Sequence, residues 1–281
     1  MITWKIAADS SCDLREGLEP IPGLSFSIVP LKIRVGAQEF TDDASLDLAA
    51  MKSALAHFDG PTSSACPSPD EWAREFEEAD CSVAVAMTSA LSGTFNSAVV
   101  ARQMVLEQHP EKKILVLDTK STGGHMVLVI RRLRELIAQG LSFEEVAREI
   151  VEYNREVRLL FTLSTFDNLV KNGRMNKLVG IVASKLGIRI VAEASREGTI
   201  RVLYKIRGQS RALDTLVAEI KRQKPEMEGK EIIVSHCNNP LGVRYLREQL
   251  EKELPGARVT VMETQGLTSY YAEETGILVA Y

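Results

Sequence analysis

Short apolar runs alternate with helical patterns through the first half of this 281-residue chain. The run Val83-Ala84-Val85-Ala86 predicts one strand and Ile114 to Leu117 predicts the next, with a helical pattern after each. Apolar residues from Met126 to Ile137 recur at intervals of three and four, the spacing of one helix face. Strands linked through helices pair in parallel. The alternation therefore predicts an α/β fold with a parallel sheet covered on both faces.

Two serine-led segments carry start signals for helices. Ser68 is followed by proline and, three residues later, by Glu71, while Ser142 precedes Glu145 at the same spacing. In such a capping box each residue's side chain accepts a hydrogen bond from the other residue's backbone N–H. Proline also suits the first helical position. We therefore predict helices that begin at residues 69 and 143.

Pro30 stands within an apolar stretch, Ile28 to Val35, that otherwise predicts a strand. Because proline lacks the N–H that a central strand donates, we expect this strand at a sheet edge or in an irregular form. A helix is expected after it, over Ser45 to Leu55.

After Val157 the pattern changes to short strands and hairpins. The turn Arg196-Glu197-Gly198-Thr199 joins two apolar runs as a hairpin. We predict an N-terminal α/β domain over residues 1–157 and a C-terminal α+β domain over residues 158–281. The expected strands of the second domain are Arg158–Leu163, Arg189–Ala194, Ile200–Ile206, Ile232–Ser235, Arg258–Glu263 and Ile277–Tyr281, and its expected helices are Ser210–Lys221 and Leu241–Leu254.

Composition limits the classes of function. Apolar residues make up 45% of the chain and the formal net charge is −4, which argues against nucleic acid or an anionic membrane surface as a partner. The chain lacks both an apolar run near the ~20 residues of a membrane span and a signal-peptide pattern. The four cysteines form no CxxC pair, so we expect reduced, mostly buried thiols. We therefore expect a cytoplasmic protein.

Hydroxyl side chains cluster at two places where a strand or loop leads into a helix. One cluster is Thr62-Ser63-Ser64, and the other runs from Thr88 to Thr94 and includes Ser92 and Gly93. Helix N-termini carry partial positive charge, and ligand crevices of α/β sheets lie at such corners. The same residue types also cap helices and fill turns. Capping and anion binding both stay open on the local sequence.

The anion that best suits this corner is a carboxylate. The chain has no Gly-x-x-x-x-Gly-Lys-Ser/Thr loop for phosphate, and neither hydroxyl cluster contains lysine or arginine. A dianion without a nearby cation loses more free energy in desolvation than neutral donors return. A carboxylate carries a single charge and accepts several hydrogen bonds. We therefore expect a monoanionic head group.

Catalytic and metal-binding alternatives have weaker support. Ser92 lies in neither a Gly-x-Ser-x-Gly nor a Ser-x-x-Lys motif. His236-Cys237 lacks a second ligand pair at metal-binding spacing. We expect no catalytic residue, no metal and no cofactor. A hydrolase would need its base from one of the four histidines, His57, His109, His125 and His236.

Charged residues near the predicted strand ends have structural explanations. Acidic residues that follow apolar runs usually cap helices or fill turns, and we expect that of Asp9, Asp13 and Asp118. We expect surface or inter-domain positions for the basic residues Arg174, Lys205 and Arg207.

Six segments, spaced over nearly the whole chain, add a further kind of evidence. They are Ile6 to Leu14, Val29-Pro30-Leu31, Thr62 to Pro69, Ser89 to Ala98, Asp118 to Ser121 and Leu169 to Arg174. None is decisive alone, but together and in this order they resemble the DegV family of bacterial fatty-acid-binding proteins.

The resemblance implies two domains, a parallel-sheet α/β domain and an α+β domain, with a ligand tunnel between them. It implies one long-chain fatty acid, such as hexadecanoate, bound there by a protein that is not itself a catalyst. A separate fatty-acid kinase is the implied partner and phosphorylates the presented carboxylate. The family's carboxylate contacts fall on Ser64 and Ser92, with the Gly93 amide beside them. Thr62 and Thr94 extend this set of donors.

The chain departs from the family near its C-terminus. Kinase-linked members carry a His-Thr-Gly-Pro-Gly-like turn whose histidine touches the head group, and the equivalent stretch here, Thr264 to Ala272, has no histidine. Thr268, Ser269 and Tyr270 are the candidates to replace it. The ligand prediction therefore rests on Ser64 and Ser92.

Two other functions remain open beside the lipid carrier. One is a hydrolase or transferase that acts through Ser92, which a serine-reactive fluorophosphonate would label. The other is a binder of small polyols, since the family shares fold features with dihydroxyacetone kinases. Titration with polyols separates that function from fatty-acid binding.

Overall fold

The computed structural model describes residues 2–15, 18–175 and 187–281. Its strands are β1 (Trp4–Asp9), β2 (Leu24–Val29), β3 (Lys32–Val35), β4 (Gln38–Thr41), β5 (Thr62–Ala65), β6 (Cys81–Ala86), β7 (Lys113–Asp118), β8 (Leu159–Leu163), β9 (Ile188–Ala194), β10 (Ile200–Arg207), β11 (Glu231–His236), β12 (Arg258–Glu263) and β13 (Ile277–Ala280). Its helices are α1 (Leu48–Ala56), α2 (Pro69–Glu77), α3 (Thr94–Gln108), α4 (Gly124–Ala138), α5 (Phe143–Glu156), α6 (Asp167–Lys171), α7 (Gln209–Gln223), α8 (Pro240–Glu253) and α9 (Gly266–Ala272).

Four parallel strands form the first sheet, in the order β2-β1-β6-β7. Helices α2 and α3 contact its strands on one side, and α4 contacts β6 from the other. This confirms the predicted α/β class with a covered parallel sheet. Both predicted capping boxes are formed, at Ser68 and Ser142, and they begin α2 and α5.

Pro30 separates two sheets. Strand β2 ends at Val29, β3 begins at Lys32, and the two belong to different sheets. The prediction of one strand over Ile28 to Val35 is therefore wrong. The physical reason is that proline cannot donate to a ladder, so the chain leaves the first sheet there. Strand β3 is the middle of a small antiparallel sheet, β4-β3-β5, whose last strand begins with Thr62.

The second sheet has the order β10-β9-β8-β13-β11-β12. Only the β11–β12 pair is parallel among these neighbours, and the β9–β10 hairpin is the one predicted at residues 196–199. Alternate residues of each strand face opposite sides. Phe161 and Leu278 therefore join the core shared with the first sheet, while Leu160 and Val279 pack under α7 and α8.

Helix α4 packs between the two sheets. It contacts β6 of the first sheet and both β11 and β13 of the second. Its residues Met126, Val129, Ile130 and Leu133 are fully buried, so one hydrophobic core joins the two sheets. This arrangement leaves a space between the sheets beside the N-terminal end of α4, where the loops after β6 and β7 meet the second sheet.

The change from the first to the second sheet falls between β7 and β8, with α4 and α5 in between. Division of the chain into domains of residues 1–157 and 158–281 stays a prediction. In the three ranges given above, no single helix has both the length and the apolar character that crossing a bilayer requires.

Candidate functional site

A largely apolar cavity lies between the two sheets. Its empty space, including the part that is open to solvent, is about 860 Å³. Hydrophobic side chains from the second sheet, from the loops after β2 and β6 and from α6 and α9 supply most of the wall. They include Leu31, Met87, Leu159, Phe161, Leu163, Leu169, Leu267 and Leu278.

The β9–β10 turn closes part of this wall against the corner after β6. The Thr88 hydroxyl donates to the Gly198 carbonyl oxygen at 2.8 Å. Gly198 has a φ of +83°, and a Cβ at this position would lie 2.1 Å from the Thr88 hydroxyl oxygen. Only glycine combines this backbone conformation with so close an approach. The contact joins the first sheet's loop to the second sheet at the cavity.

Ser64 and Tyr271 form a polar pair at the wall. Their hydroxyl oxygens are 2.8 Å apart, both side chains are half-buried, and both line the cavity. Ser64 is placed by β5, whose alternate residues Thr62 and Ser64 point to the same side. The Thr62 hydroxyl is instead 2.7 Å from the hydroxyl of buried Tyr270. Tyr271, together with Ser64, offers two half-buried hydroxyls to the cavity.

Ser92 lies in the corner that leads into α3. Its hydroxyl oxygen is 2.9 Å from that of Thr94 and accepts the Thr94 N–H at 3.3 Å. Thr94 is fully buried behind it, and Gly93 is the residue before the helix. These bonds fix the Ser92 side chain at the start of a 15-residue helix, where partial positive charge favours an anion.

Three of the six predicted ligand-binding residues line the cavity: Ser64, Ser92 and Thr268. Thr94 bonds to Ser92 and Thr62 bonds to Tyr270, and neither is part of the lining. Gly93 adjoins Ser92 without being part of the lining. Of the candidates to replace the missing histidine, Ser269 bonds to Thr264 instead. Tyr271 was missed by the sequence reasoning, although its place beside Tyr270 within the same stretch was a usable signal.

Two basic side chains also line the cavity, Arg174 and Lys120. The Arg174 Nε donates to the Leu91 carbonyl oxygen at 3.1 Å, one residue before Ser92. Lys120 pairs with Asp118 at 2.8 Å. The expectation of a site without a cation is therefore wrong. The sequence around Ser92 could not reveal Arg174, because Arg174 is more than eighty positions away along the chain.

Buried carboxylates hold the segment from Thr264 to Thr268 against the first sheet. Asp13 accepts the Gln265 N–H at 2.8 Å, and burial raises the pKa of this carboxyl to about 8. Asp42 is fully buried and accepts the N–H groups of Gly266 and Leu267, each at 2.9 Å. Because Leu267 and Thr268 line the cavity, these two carboxylates position part of its wall.

Asp9 has the capping role that its place after β1 predicts. Its carboxylate accepts the N–H groups of Ser11 at 3.0 Å and Met87 at 2.6 Å. Burial nevertheless raises the pKa of Asp9 to about 6, against the effect of these bonds. The carboxylate thus ties the ends of β1 and β6 together at the edge where the cavity opens.

The four histidines all lie in the described ranges and none lines this cavity. His236 is buried at the end of β11, where its Nδ1 accepts the Asn239 N–H at 3.3 Å. His125 faces a different cavity. Ser92 therefore has no imidazole beside it to act as a base. Within the described part of the chain there is also no group of three His, Cys, Asp or Glu side chains placed to hold a metal ion.

Comparison with protein families matches residues 3–280 to the DegV family, described as uncharacterised proteins. A DegV domain-containing protein of Streptococcus pneumoniae strain R6 is 43% identical over 280 residues, covering 100% of this chain and 99% of the relative. A DegV domain-containing protein of Streptococcus gordonii is 42% identical with the same coverage. The chain belongs to the DegV family.

Two solved structures share the whole fold. The fatty acid kinase (Fak) B3 protein of Streptococcus pneumoniae, loaded with linoleic acid, is 42% identical and covers 100% of this chain and 99% of its own, with a TM-score of 0.96. A DegV family protein of Eubacterium eligens, loaded with heptadecanoic acid, is 35% identical with 99% of each chain covered and a TM-score of 0.92. The chain is therefore similar, from end to end, to proteins that hold fatty acids.

Proposed function

We propose that this protein is a lipid-binding protein that holds one long-chain fatty acid in the cavity between its sheets. The observation that carries the proposal is a largely apolar cavity whose lining includes the half-buried hydroxyls of Ser64, Ser92 and Tyr271. Relatives of the same fold, at 42% and 35% identity, are loaded with linoleic and heptadecanoic acid.

The hydrocarbon chain supplies most of the affinity in this proposal. Burial of ~14 methylene groups at ~0.8 kcal/mol each is worth on the order of 11 kcal/mol before ordering costs. Leucine and phenylalanine side chains, such as Leu163 and Phe161 of β8, provide the surface for it. The apolar wall also argues against a small polyol as the ligand, because most hydroxyls of a polyol would be left unpaired there.

The carboxylate binds at Ser64, Ser92 and Tyr271 in this proposal. These hydroxyls belong to half-buried residues of the lining, so a charged group bound to them keeps access to water while the tail is buried. Each charge-assisted hydrogen bond contributes about 1.5–3 kcal/mol. Arg174 lies on the same wall and adds a positive charge that favours an anion. The head group therefore sets the orientation of the ligand.

We further propose that the protein presents the acid rather than transforming it. A serine nucleophile needs a base to take its proton, and the histidines lie outside the cavity. A carboxylate bound to these half-buried hydroxyls is accessible to an enzyme that docks beside them. The name of the pneumococcal relative, a fatty acid kinase B3 protein, supports a fatty-acid kinase as that partner.

Replacement of Ser92 tests the head-group assignment. We expect Ser92→Ala to weaken hexadecanoate binding by about 1–3 kcal/mol, roughly 5- to 150-fold, because a donor to a charged group is lost. The affinity is measured by competition with a fluorescent fatty acid on delipidated protein. Binding of hexadecanol, which carries no charge, should change less.

Ser63→Ala is the matched control, because Ser63 is exposed on the other side of β5 from Ser64. Its affinity for hexadecanoate should equal that of the wild type. If Ser92→Ala binds hexadecanoate as tightly as the control does, the carboxylate does not lie at Ser92.

A further inference from the structure

A second cavity adjoins the first but has a different chemistry. It lies between the loop after β7, the C-terminal ends of α5 and α7 and the β9–β10 turn, and encloses about 1350 Å³ including the space at its mouth. Lys120, Ser121, Leu159 and Ala194 line both cavities. Most of its other lining residues are polar or charged.

The lining of this second cavity is rich in arginine. Five arginines and one lysine face it, against the carboxylates of Glu193 and Glu197. Most of these cations are neutralised, since Arg201 pairs with Glu193 and Arg222 pairs with Glu219. Arg155 and Lys120 pair with Glu152 and Asp118.

Among the described residues, Arg158 and Arg196 have no close ion pair with a carboxylate, and Glu197 is the carboxylate that acts on Arg196 from within the same lining. Within residues 2–15, 18–175 and 187–281, the Arg158 guanidinium donates to two carbonyl oxygens, those of Arg155 at 2.6 Å and Val157 at 3.0 Å. Guanidinium groups bind phosphate oxygens in a bidentate manner, which matches their planar arrangement of donors. The cavity therefore has two positions suited to an anion.

Two buried polar groups in the same lining lack partners within the described part of the chain. Ser121 is 2% exposed and its hydroxyl forms no hydrogen bond, while His125 is 4% exposed and its Nδ1 forms none. Buried polar atoms of native proteins are nearly always paired, so an unpaired one points to a bound water, ion or ligand. Here two such atoms line one cavity together with Arg158 and Arg196.

The hydrogen bonds of His125 define what its free nitrogen can accept. The Asn154 side-chain N–H donates to the Asp118 carbonyl oxygen at 3.2 Å, which leaves its Oδ1 to accept the His125 Nε2–H at 2.8 Å. Burial lowers the pKa of His125 to about 4, so the ring is neutral near pH 7. Nδ1 is then an acceptor and fits a ligand that carries a hydroxyl group.

We propose that this second cavity binds a small hydroxylated phosphomonoester, with its phosphate on Arg158 and Arg196 and its hydroxyl groups on Ser121 and His125. A phosphomonoester supplies the double charge that two guanidinium groups neutralise. It also supplies alcohol O–H groups, which can reach Ser121 and His125 while the phosphate oxygens are bound by the guanidinium groups. The arginines of this site are absent from the lining of the acyl cavity, whereas Ser121 lines both cavities, so the site is tested on protein that carries its fatty acid.

Isothermal titration of the fatty-acid-loaded protein with glycerol 2-phosphate, in a buffer without phosphate, tests the proposal. We expect one saturable site per chain, and weaker binding of inorganic phosphate. Arg158→Gln and Arg196→Gln should each weaken glycerol 2-phosphate binding about tenfold or more, because a charged hydrogen bond is lost. Ser121→Ala should weaken it without lowering the melting temperature of the unliganded protein.

Arg244→Gln is the control, since Arg244 is an exposed residue of α8 paired with Glu248; its affinity for glycerol 2-phosphate should be that of the wild type. Arg196 is exposed in a turn, so its variant keeps the test valid even if Arg158→Gln fails to fold. Absence of saturable heat would overturn the proposal. So would binding that is unchanged in Arg196→Gln, or binding that Ser92→Ala abolishes, since the anion would then occupy the carboxylate end of the first cavity.

Discussion

Leu278→Trp should abolish most fatty-acid binding while leaving the unliganded protein folded. Leu278 lies on β13 in the middle of the second sheet, is 6% exposed, and faces the apolar cavity. The larger indole ring would occupy space that the acyl chain needs. If it displaces about four methylene groups, the loss is ~3 kcal/mol, or more than 100-fold in affinity. Titration of delipidated protein with hexadecanoate measures it.

Leu160→Trp is the matched control for this variant. Leu160 is fully buried on β8, beside β13, but its side chain packs in the core under α7 and α8. A tryptophan there overpacks the core and should lower the free energy of unfolding by about 1–3 kcal/mol. The Leu160 variant should still bind hexadecanoate with wild-type affinity. Equal binding by Leu278→Trp and Leu160→Trp would mean that the acyl chain does not pass Leu278.

Asp42→Asn should cause a large loss of stability. The fully buried Asp42 carboxylate accepts the N–H groups of Gly266 and Leu267 at 2.9 Å and pairs with Arg15 at 2.5 Å. The amide removes the charge, leaves the Arg15 guanidinium unpaired and turns one acceptor into a donor. Breaking a buried ion pair from one side costs about 3–5 kcal/mol, so we expect ~3 kcal/mol from urea denaturation. Fatty-acid affinity should fall with it, since Leu267 lines the cavity.

Asp43→Asn separates this effect from a general effect of charge. Asp43 is the next residue, and its carboxylate accepts only the local N–H and hydroxyl of Ser45, at 2.8 and 2.6 Å. We expect a change below about 1 kcal/mol. A similar loss in the two variants would show that the buried carboxylate of Asp42 does not hold the segment before α9.

The parallel sheet could be predicted because its signals are local. The apolar runs of β6 and β7 and the serine capping boxes of α2 and α5 each specify one element within a few residues. The order of the strands could not be derived in this way, since strand pairing depends on contacts far apart in sequence. Strand β13 at the end of the chain, for example, lies in the middle of the second sheet, between β8 and β11.

At Pro30 the local sequence predicts one irregular strand, whereas the structure has two strands in different sheets. The absence of a donor N–H in proline predicts an edge or an irregular strand. In the structure Pro30 lies in neither strand: β2 of the first sheet ends at Val29, and β3 of the small antiparallel sheet begins at Lys32. This arrangement requires β4 and β5 as partners for β3. Neither partner has the apolar alternation that would have revealed it, because β5 reads Thr-Ser-Ser-Ala.

The candidate site could be predicted in part for the same reason. Ser64 and Ser92 stand in hydroxyl-rich segments and both line the cavity. Arg174 lies just after α6, and its contact with the Leu91 carbonyl oxygen joins residues 83 positions apart. Tyr271 meets Ser64 across 207 positions. Pairings over such distances depend on how the two sheets pack, which no local pattern specifies.

The most direct test of the central claim is mass spectrometry of lipid released from the purified protein. If the cavity between the sheets is a fatty-acid site, the wild-type chain purified from bacteria releases about one equivalent of a long-chain fatty acid. Delipidated protein takes up the same amount when the acid is offered. Protein that neither releases such an acid nor binds one when it is offered would contradict the account.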